Sequence, residues 1–184
     1  MELRIRWESD DRGFGGRERG KKEKKAPITV YADADFAGEV DGIRSTMGFV
    51  ILDRYGAIFH WKSQRQKTVA KSTADAEFNA TALAVAQGIW LAKVQAKLYR
   101  ELKEVISISV FNLNQACIAS LMNDQLRAYT CHVGIRYFWL RELVHEGEVT
   151  IMYLRTDEII ADGLTKGLES GKHQGFTRML SMMS

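Results

Sequence analysis

Cysteine and histidine are scarce in this chain. Cys117 and Cys131, with four scattered histidines, cannot build a disulfide scaffold or a zinc cluster, and both thiols are expected to be free. No apolar run approaches the ~18 residues that a membrane span needs. The opening MELRIRWESDDRG lacks the apolar stretch of a secretory signal. These absences point by default to a reducing, intracellular setting, cytoplasmic or nuclear, with no membrane. What is present suffices for a core: 46% of the 184 residues are hydrophobic and 27% charged, which excludes a disordered polypeptide. The length fits one domain, or a domain with a tail.

The net charge of +3 has an address. Residues 1–26 hold nine Lys/Arg against six Asp/Glu, and the remainder is neutral. That glycine-rich, basic segment has almost nothing to bury. It reads as a flexible basic linker, a solvated tether or a weak attractor of nucleic acid.

After Pro27 the pattern becomes regular. Residues 28–33 (ITVYAD) alternate as a half-buried strand does. Two apolar runs, 48–52 and 57–61, flank the turn residues Asp53-Arg54-Tyr55-Gly56 and predict a hairpin. From Ser72 the period changes. Phe78, Ala82, Val85, Ile89, Ala92 and Ala96 recur every three or four positions, predicting a long amphipathic helix, with Ser72 and Asp75 as its capping pair. Gly88 within it suggests close packing against a sheet. A strand follows at 106–111, a short helix at 115–122, a loop at 123–130, a helix at 133–146 ended by Gly147, a strand at 148–154 and a last helix near 157–165. Trp61, Trp90 and Trp139 read as core aromatics, and the Met-rich end (Met179, Met182, Met183) as a frayed tail. The order predicts an α/β fold: a mixed five-stranded sheet, three antiparallel strands then helix–strand units, flanked by helices. The folded domain would cover 27–170, with a tail over 171–184.

The informative residues are acids at strand ends and helix faces. Asp33 continues the alternation of the first strand, with Asp35 just beyond it. Glu77 lies in the first turns of the long helix, and Asp162 falls among apolar Ile159, Ile160 and Leu164. An acid on an apolar face must be paired, protonated or bound to a cation. Hard oxygen ligands suit magnesium or manganese, and gathered carboxylates are the chemistry of a two-metal phosphate clamp. Spacing alone leaves open whether the three converge. Ahead of the long helix, Lys62, Ser63, Arg65, Lys67 and Lys71 form a basic, hydroxyl-bearing stretch suited to phosphate and sugar contacts, or simply a solvated connection. His132 reads as a helix-start residue.

The strings YADADFAG (31–38), RSTMGFV (44–50), GAIFHWKSQRQKTVAKSTADAEFNA (56–80), NQACIA (114–119), HVGIRYFWLRE (132–142) and GEVTIMYLRTDEIIADGLTKGL (147–168) occur in register over about residues 28–170. Together they resemble the ribonuclease H domain of copia-type LTR retrotransposon polyproteins. The resemblance implies the ribonuclease H-like fold, a reverse transcriptase domain in a larger polyprotein, and hydrolysis of RNA in RNA–DNA hybrids with two divalent ions, Mg2+ or Mn2+. It maps the first active-site carboxylate onto Asp33, the second onto Glu77 and the fourth onto Asp162. Asn114 and Gln115 join the nucleic-acid contacts.

The third carboxylate, the Asp of a C-D-N-Q motif, falls on Leu113 in Asn112-Leu113-Asn114-Gln115. Leucine offers a metal no oxygen. On a strand, Asn112 and Asn114 point to the opposite face from Leu113. Further departures are Gly134 and Phe138 where the family has Asp and His, Phe36 for Trp, and Arg155 for Pro. Three functions follow as alternatives: a hybrid-binding ribonuclease H-like domain with cleavage weakened or lost and no cofactor; an active nuclease whose metals are held by Asp33, Glu77 and Asp162; or a domesticated scaffold that binds a protein partner.

Overall fold

The computed structural model describes residues 28–38, 43–98, 107–122, 134–155 and 158–180. The basic segment 1–26, the loop 123–130, Cys131 and His132 lie outside these residues. Five strands form one sheet: β1 Ile28–Asp35, β2 Thr46–Asp53, β3 Ile58–Arg65, β4 Ile108–Asn112 and β5 Val149–Tyr153, ordered β3-β2-β1-β4-β5. The first three pair antiparallel, whereas β4 runs parallel to β1 and β5 parallel to β4. Helices α1 Thr73–Leu98, α2 Gln115–Met122 and α3 Gly134–His145 cover one face. A short 3-10 helix, Ile160–Leu164, and α4 Ser170–Met179 cover the other. The mixed α/β architecture is the one the element order predicts.

Strand alternation builds both cores. Ile28, Val30 and Ala32 of β1 are fully buried against α1, while Tyr31 packs with Val50, Ile159, Ile160 and Phe176 on the opposite side. The hairpin turn forms as expected: Asp53 Oδ1 accepts the amides of Tyr55 (2.8 Å) and Ala57 (2.9 Å), and Gly56 takes the left-handed φ of +85°. Helix α1 starts at the foreseen cap, with the Asp75 amide donating to Ser72 Oγ (3.2 Å) and Asp75 Oδ2 accepting from the Lys71 amide (2.8 Å). Gly88 lets the helix close on the sheet, since a Cβ there would stand 2.9 Å from Val30 Cγ2.

Three expectations need correction. Trp61 and Trp90 are not core residues; each is 59% exposed, and only Trp139 packs partly against the core. Trp61 lies on the edge strand, where no element among the described residues covers it, and Trp90 lies off the buried stripe of α1. Residues 170–179 are not a frayed tail: α4 forms there because Phe176 packs into the second core, its ring against Gly163, while Met182 and Met183 lie outside the described residues. The last helix foreseen near 157–165 is a 3-10 segment of five residues. Among the described residues no helix is long and apolar enough to cross a membrane.

Candidate active site

Sheet register brings the acids to one end of the fold. Asp33 is the sixth residue of β1 and pairs across the sheet with Gly48 of β2, which pairs in turn with Ser63 of β3. Directly opposite residues share a face, so this row lies on the face of the 3-10 helix. A Cβ on Gly48 would meet Leu164 Cβ at 2.8 Å and Thr165 Cγ2 at 3.0 Å. The glycine is therefore what admits the turn bearing Asp162. Thr165 then donates its hydroxyl to Asp33 Oδ2, Ser63 Oγ donates to the Leu164 carbonyl (2.6 Å), and Lys166 forms an ion pair with Asp162.

Glu77 arrives from the other side, one turn into α1 and 4% exposed. Asn112, at the end of β4, is 1% exposed and pairs in register with Ala32, so it faces α1. Its Nδ2 donates to Glu77 Oε2 (3.1 Å) and to Thr81 Oγ1 (3.0 Å), while its Oδ1 accepts the Asn114 amide (2.7 Å). Every polar atom of that side chain is engaged. Leu113 follows Asn112 as Asp33 follows Ala32, and packs into the apolar cluster on the Asp33 face. The opposed orientation of Asn112 and Leu113 is what strand alternation predicts.

Electrostatics record the crowding. Burial raises the Glu77 carboxyl to about 8, helped by the negative charge of Asp33 and opposed by the Asn112 hydrogen bond. Burial raises Asp33 as well; the Thr165 hydrogen bond resists this and the charge of Asp162 adds to it. The backbone amide of Ala34 acts on both carboxylates. Partial burial alone would lower Lys166, but its hydrogen bond to Asp162, with the charges of Asp162, Asp33 and Asp35, holds it above its ordinary value. Asp33 is thus electrostatically linked to Glu77 on one side and Asp162 on the other. Burial, then the charge of Glu77, pushes the nearby Cys117 thiol up to about 12, so this free cysteine is an inert core residue.

Among the described residues no three Asp, Glu, His or Cys side chains are arranged to hold a metal ion. Each acid instead has a protein partner: Thr165 for Asp33, Asn112 for Glu77, Lys166 for Asp162. Sequence reasoning missed all three partners. Thr165 and Lys166 were in view within ADGLTK, and the alternation of β4 assigns Asn112 to the helix face.

The nucleic-acid candidates are divided by register. Ser63 and Arg65 share the Asp33 face, whereas Lys62 pairs with Phe49 and lies on the α1 face. Lys67 and Lys71 are exposed in the connection to α1. Asn114 is the cap of α2, its Oδ1 accepting the Cys117 amide (2.9 Å), and Gln115 is the exposed first residue of that helix.

The chain is 34% identical over 154 residues to the retrovirus-related Pol polyprotein of transposon TNT 1-94 from Nicotiana tabacum, across 84% of this chain and 11% of that polyprotein. It is 26% identical to the corresponding polyprotein of transposon RE2 from Arabidopsis thaliana, across 89% of this chain and 11% of the relative. No protein-family model matches. Among solved structures, a ribonuclease H1 isolated from compost aligns with a TM-score of 0.56 at 16% identity, over 84% of this chain and 99% of that one. The same enzyme in complex with RNA/DNA hybrid aligns at 0.51 and 14% identity, over 75% of this chain and 93% of that one. The chain is a ribonuclease H-like domain of the retrotransposon Pol polyprotein family. This ribonuclease H-like domain spans about 11% of the length of the curated relatives it matches. The motif-based resemblance therefore holds, both for the lineage and for the fold.

Proposed function

We propose that this domain binds RNA–DNA hybrid while its metal-dependent cleavage of RNA is weakened or lost. The supporting observation is Leu113. It directly follows Asn112, the last β4 residue paired with β1, and packs among apolar side chains, at the position to which the family pattern assigns a metal-binding carboxylate. A site that must neutralise charge developing on a phosphate loses most of its effect when an ion has too few oxygen ligands. The carboxylates that remain each have a partner within the protein. Binding would rest on Ser63, Arg65, Lys67 and Lys71 beside the acid cluster, with Lys62 on the other face of the edge strand. The setting is intracellular, and a reverse transcriptase domain of the same polyprotein is the natural neighbour.

The test is a pair of assays on the purified chain with labelled hybrid, in Mg2+ and in Mn2+. The expected result is binding that weakens steeply with salt, with cleavage near background. Efficient cleavage would favour the second reading, a working nuclease in which Asp33, Glu77 and Asp162 hold the ions; their electrostatic linkage through Asp33 is the observation on its side. Absence of both binding and cleavage would leave the interaction scaffold.

A further inference from the structure

Edge strand β3 carries a second surface that the carboxylates do not explain. Trp61, Ser63 and Arg65 alternate onto one face of it. Ser63 lies in the row of Asp33, Arg65 in the row of Asp35, and Trp61 in the row of Tyr31 and Val50. Trp61 is therefore two strands from Asp33 and one step along, about 10 Å across and about 7 Å down the sheet. Ser63 ties the column to the Asp162 turn through Leu164.

A large aromatic surface exposed in such a place needs a reason. Trp61 has 59% of its surface in water, and Phe59, on the same strand, has 47%. The surrounding charge says what could cover it. Residues 58–71 contain four Lys/Arg and no Asp or Glu. The next acid, Asp75, is held by the Lys71 amide at the cap of α1. An apolar platform in a wholly basic stretch complements a polyanion that also has flat, apolar faces, namely a nucleic-acid strand. Trp90 makes the contrast. It is equally exposed, but it lies thirteen residues beyond Glu77 on α1, about 20 Å away along the helix.

We infer that Trp61 is a stacking platform for a nucleic-acid strand, which runs along the Trp61–Ser63–Arg65 column of β3 toward the Asp33 end of the sheet. This deepens the hybrid-binding reading and rests on it for the identity of the strand, although the platform chemistry serves a hybrid and a single strand alike. Trp61 presents its ring to a sugar or base, which gives affinity that salt does not screen. Arg65 and the lysines supply the part that salt does screen.

The test measures binding of a labelled RNA–DNA hybrid, and of a labelled single-stranded DNA, to the full chain across a salt series. Trp61→Ala is expected to weaken binding about 5- to 100-fold with the slope of log affinity against log salt unchanged. Trp61→Phe retains most of the affinity. Arg65→Gln flattens the slope by about 1, and Trp90→Ala changes nothing. Because Trp61 is exposed, an unchanged melting temperature will show that Trp61→Ala still folds. If hybrid binds and Trp61→Ala binds it equally well, or Trp90→Ala loses as much, the platform is wrong and the hybrid-binding reading stands. If only the single strand binds, and through Trp61, the hybrid reading falls and the platform stands. If neither probe binds, both fall.

Discussion

Glu77 offers the most quantitative test of how the acid cluster is built. In the folded chain its carboxyl titrates at about 8 instead of the ordinary 4.5, first because it is buried and then because Asp33 is near. The folded state therefore holds a proton that the unfolded state has released. Stability is fully present below pH about 4.5 and is lost as the pH rises through about 8. The complete displacement corresponds to roughly 5 kcal/mol. Between pH 5.5 and 8.5 the expected loss is about 3 kcal/mol, and Asp33, also raised, adds to it in the same direction.

Glu77→Gln should remove this slope. The amide keeps the shape of the protonated acid, and its oxygen can still accept from Asn112 Nδ2. Urea unfolding of both proteins at pH 5.5 and 8.5, in chelator, gives the answer. The advantage of the variant over the wild type is expected to grow by about 3 kcal/mol from the lower pH to the higher. Parallel pH profiles for the two proteins would refute the reasoning, because Glu77 would then be ionised in the fold without cost and the cluster would not be crowded.

Leu113→Asp should raise hybrid cleavage in Mg2+ well above the starting protein, read as product formed per unit time; a folded variant with no gain would mean that other departures disable the site or that residue 113 is misaligned. Asn112→Asp should not substitute for it: the new acid would face Glu77, lose the donor to Thr81 and cost about 1–3 kcal/mol in chemical denaturation. Gly48→Val should push the Leu164–Thr165 turn off the sheet and lower stability by about 1–3 kcal/mol, with loss of the Thr165 contact to Asp33 visible in a crystal structure. Lys166→Met removes a positive charge that lowers both Asp33 and Glu77, so stability measured by urea unfolding should fall more steeply toward alkaline pH than in the wild type.

Much of this arrangement was legible in the chain because local patterns and the final fold agree. The alternation of ITVYAD, the turn at Asp53–Gly56 and the Ser72–Asp75 cap each specify local geometry that the tertiary structure leaves intact. What could not be read was anything set by which element lies at an edge. Trp61 has the residue type and alternation of a core position, and only the strand order, with β3 outermost, exposes it. The α4 helix was hidden for the converse reason. SGKHQGFTRM carries two glycines and a polar majority, and it folds because Phe176 finds cover over Gly163.

The same alternation explains how the fold accommodates a leucine at position 113. An acid at position 113 would add a third negative charge beside Asp33 and Asp162, on a face where Asp33 is already raised by burial and by its neighbour. Leucine removes that repulsion and extends the apolar cluster under the 3-10 helix. One residue earlier, on the opposite face, Asn112 gives Glu77 a donor. Thr165 and Lys166 do the same for the other two acids. Each of the three carboxylates has at least one partner from within the chain, so we expect folding not to depend on a cation to hold the cluster together. On that reasoning, chelator should leave the melting temperature of the wild-type protein unchanged at pH 7, whereas Leu113→Asp should melt lower in chelator and recover when Mg2+ is added. A large Mg2+-dependent rise in the wild type would show that its three acids already share an ion, and the argument from internal partners would fail.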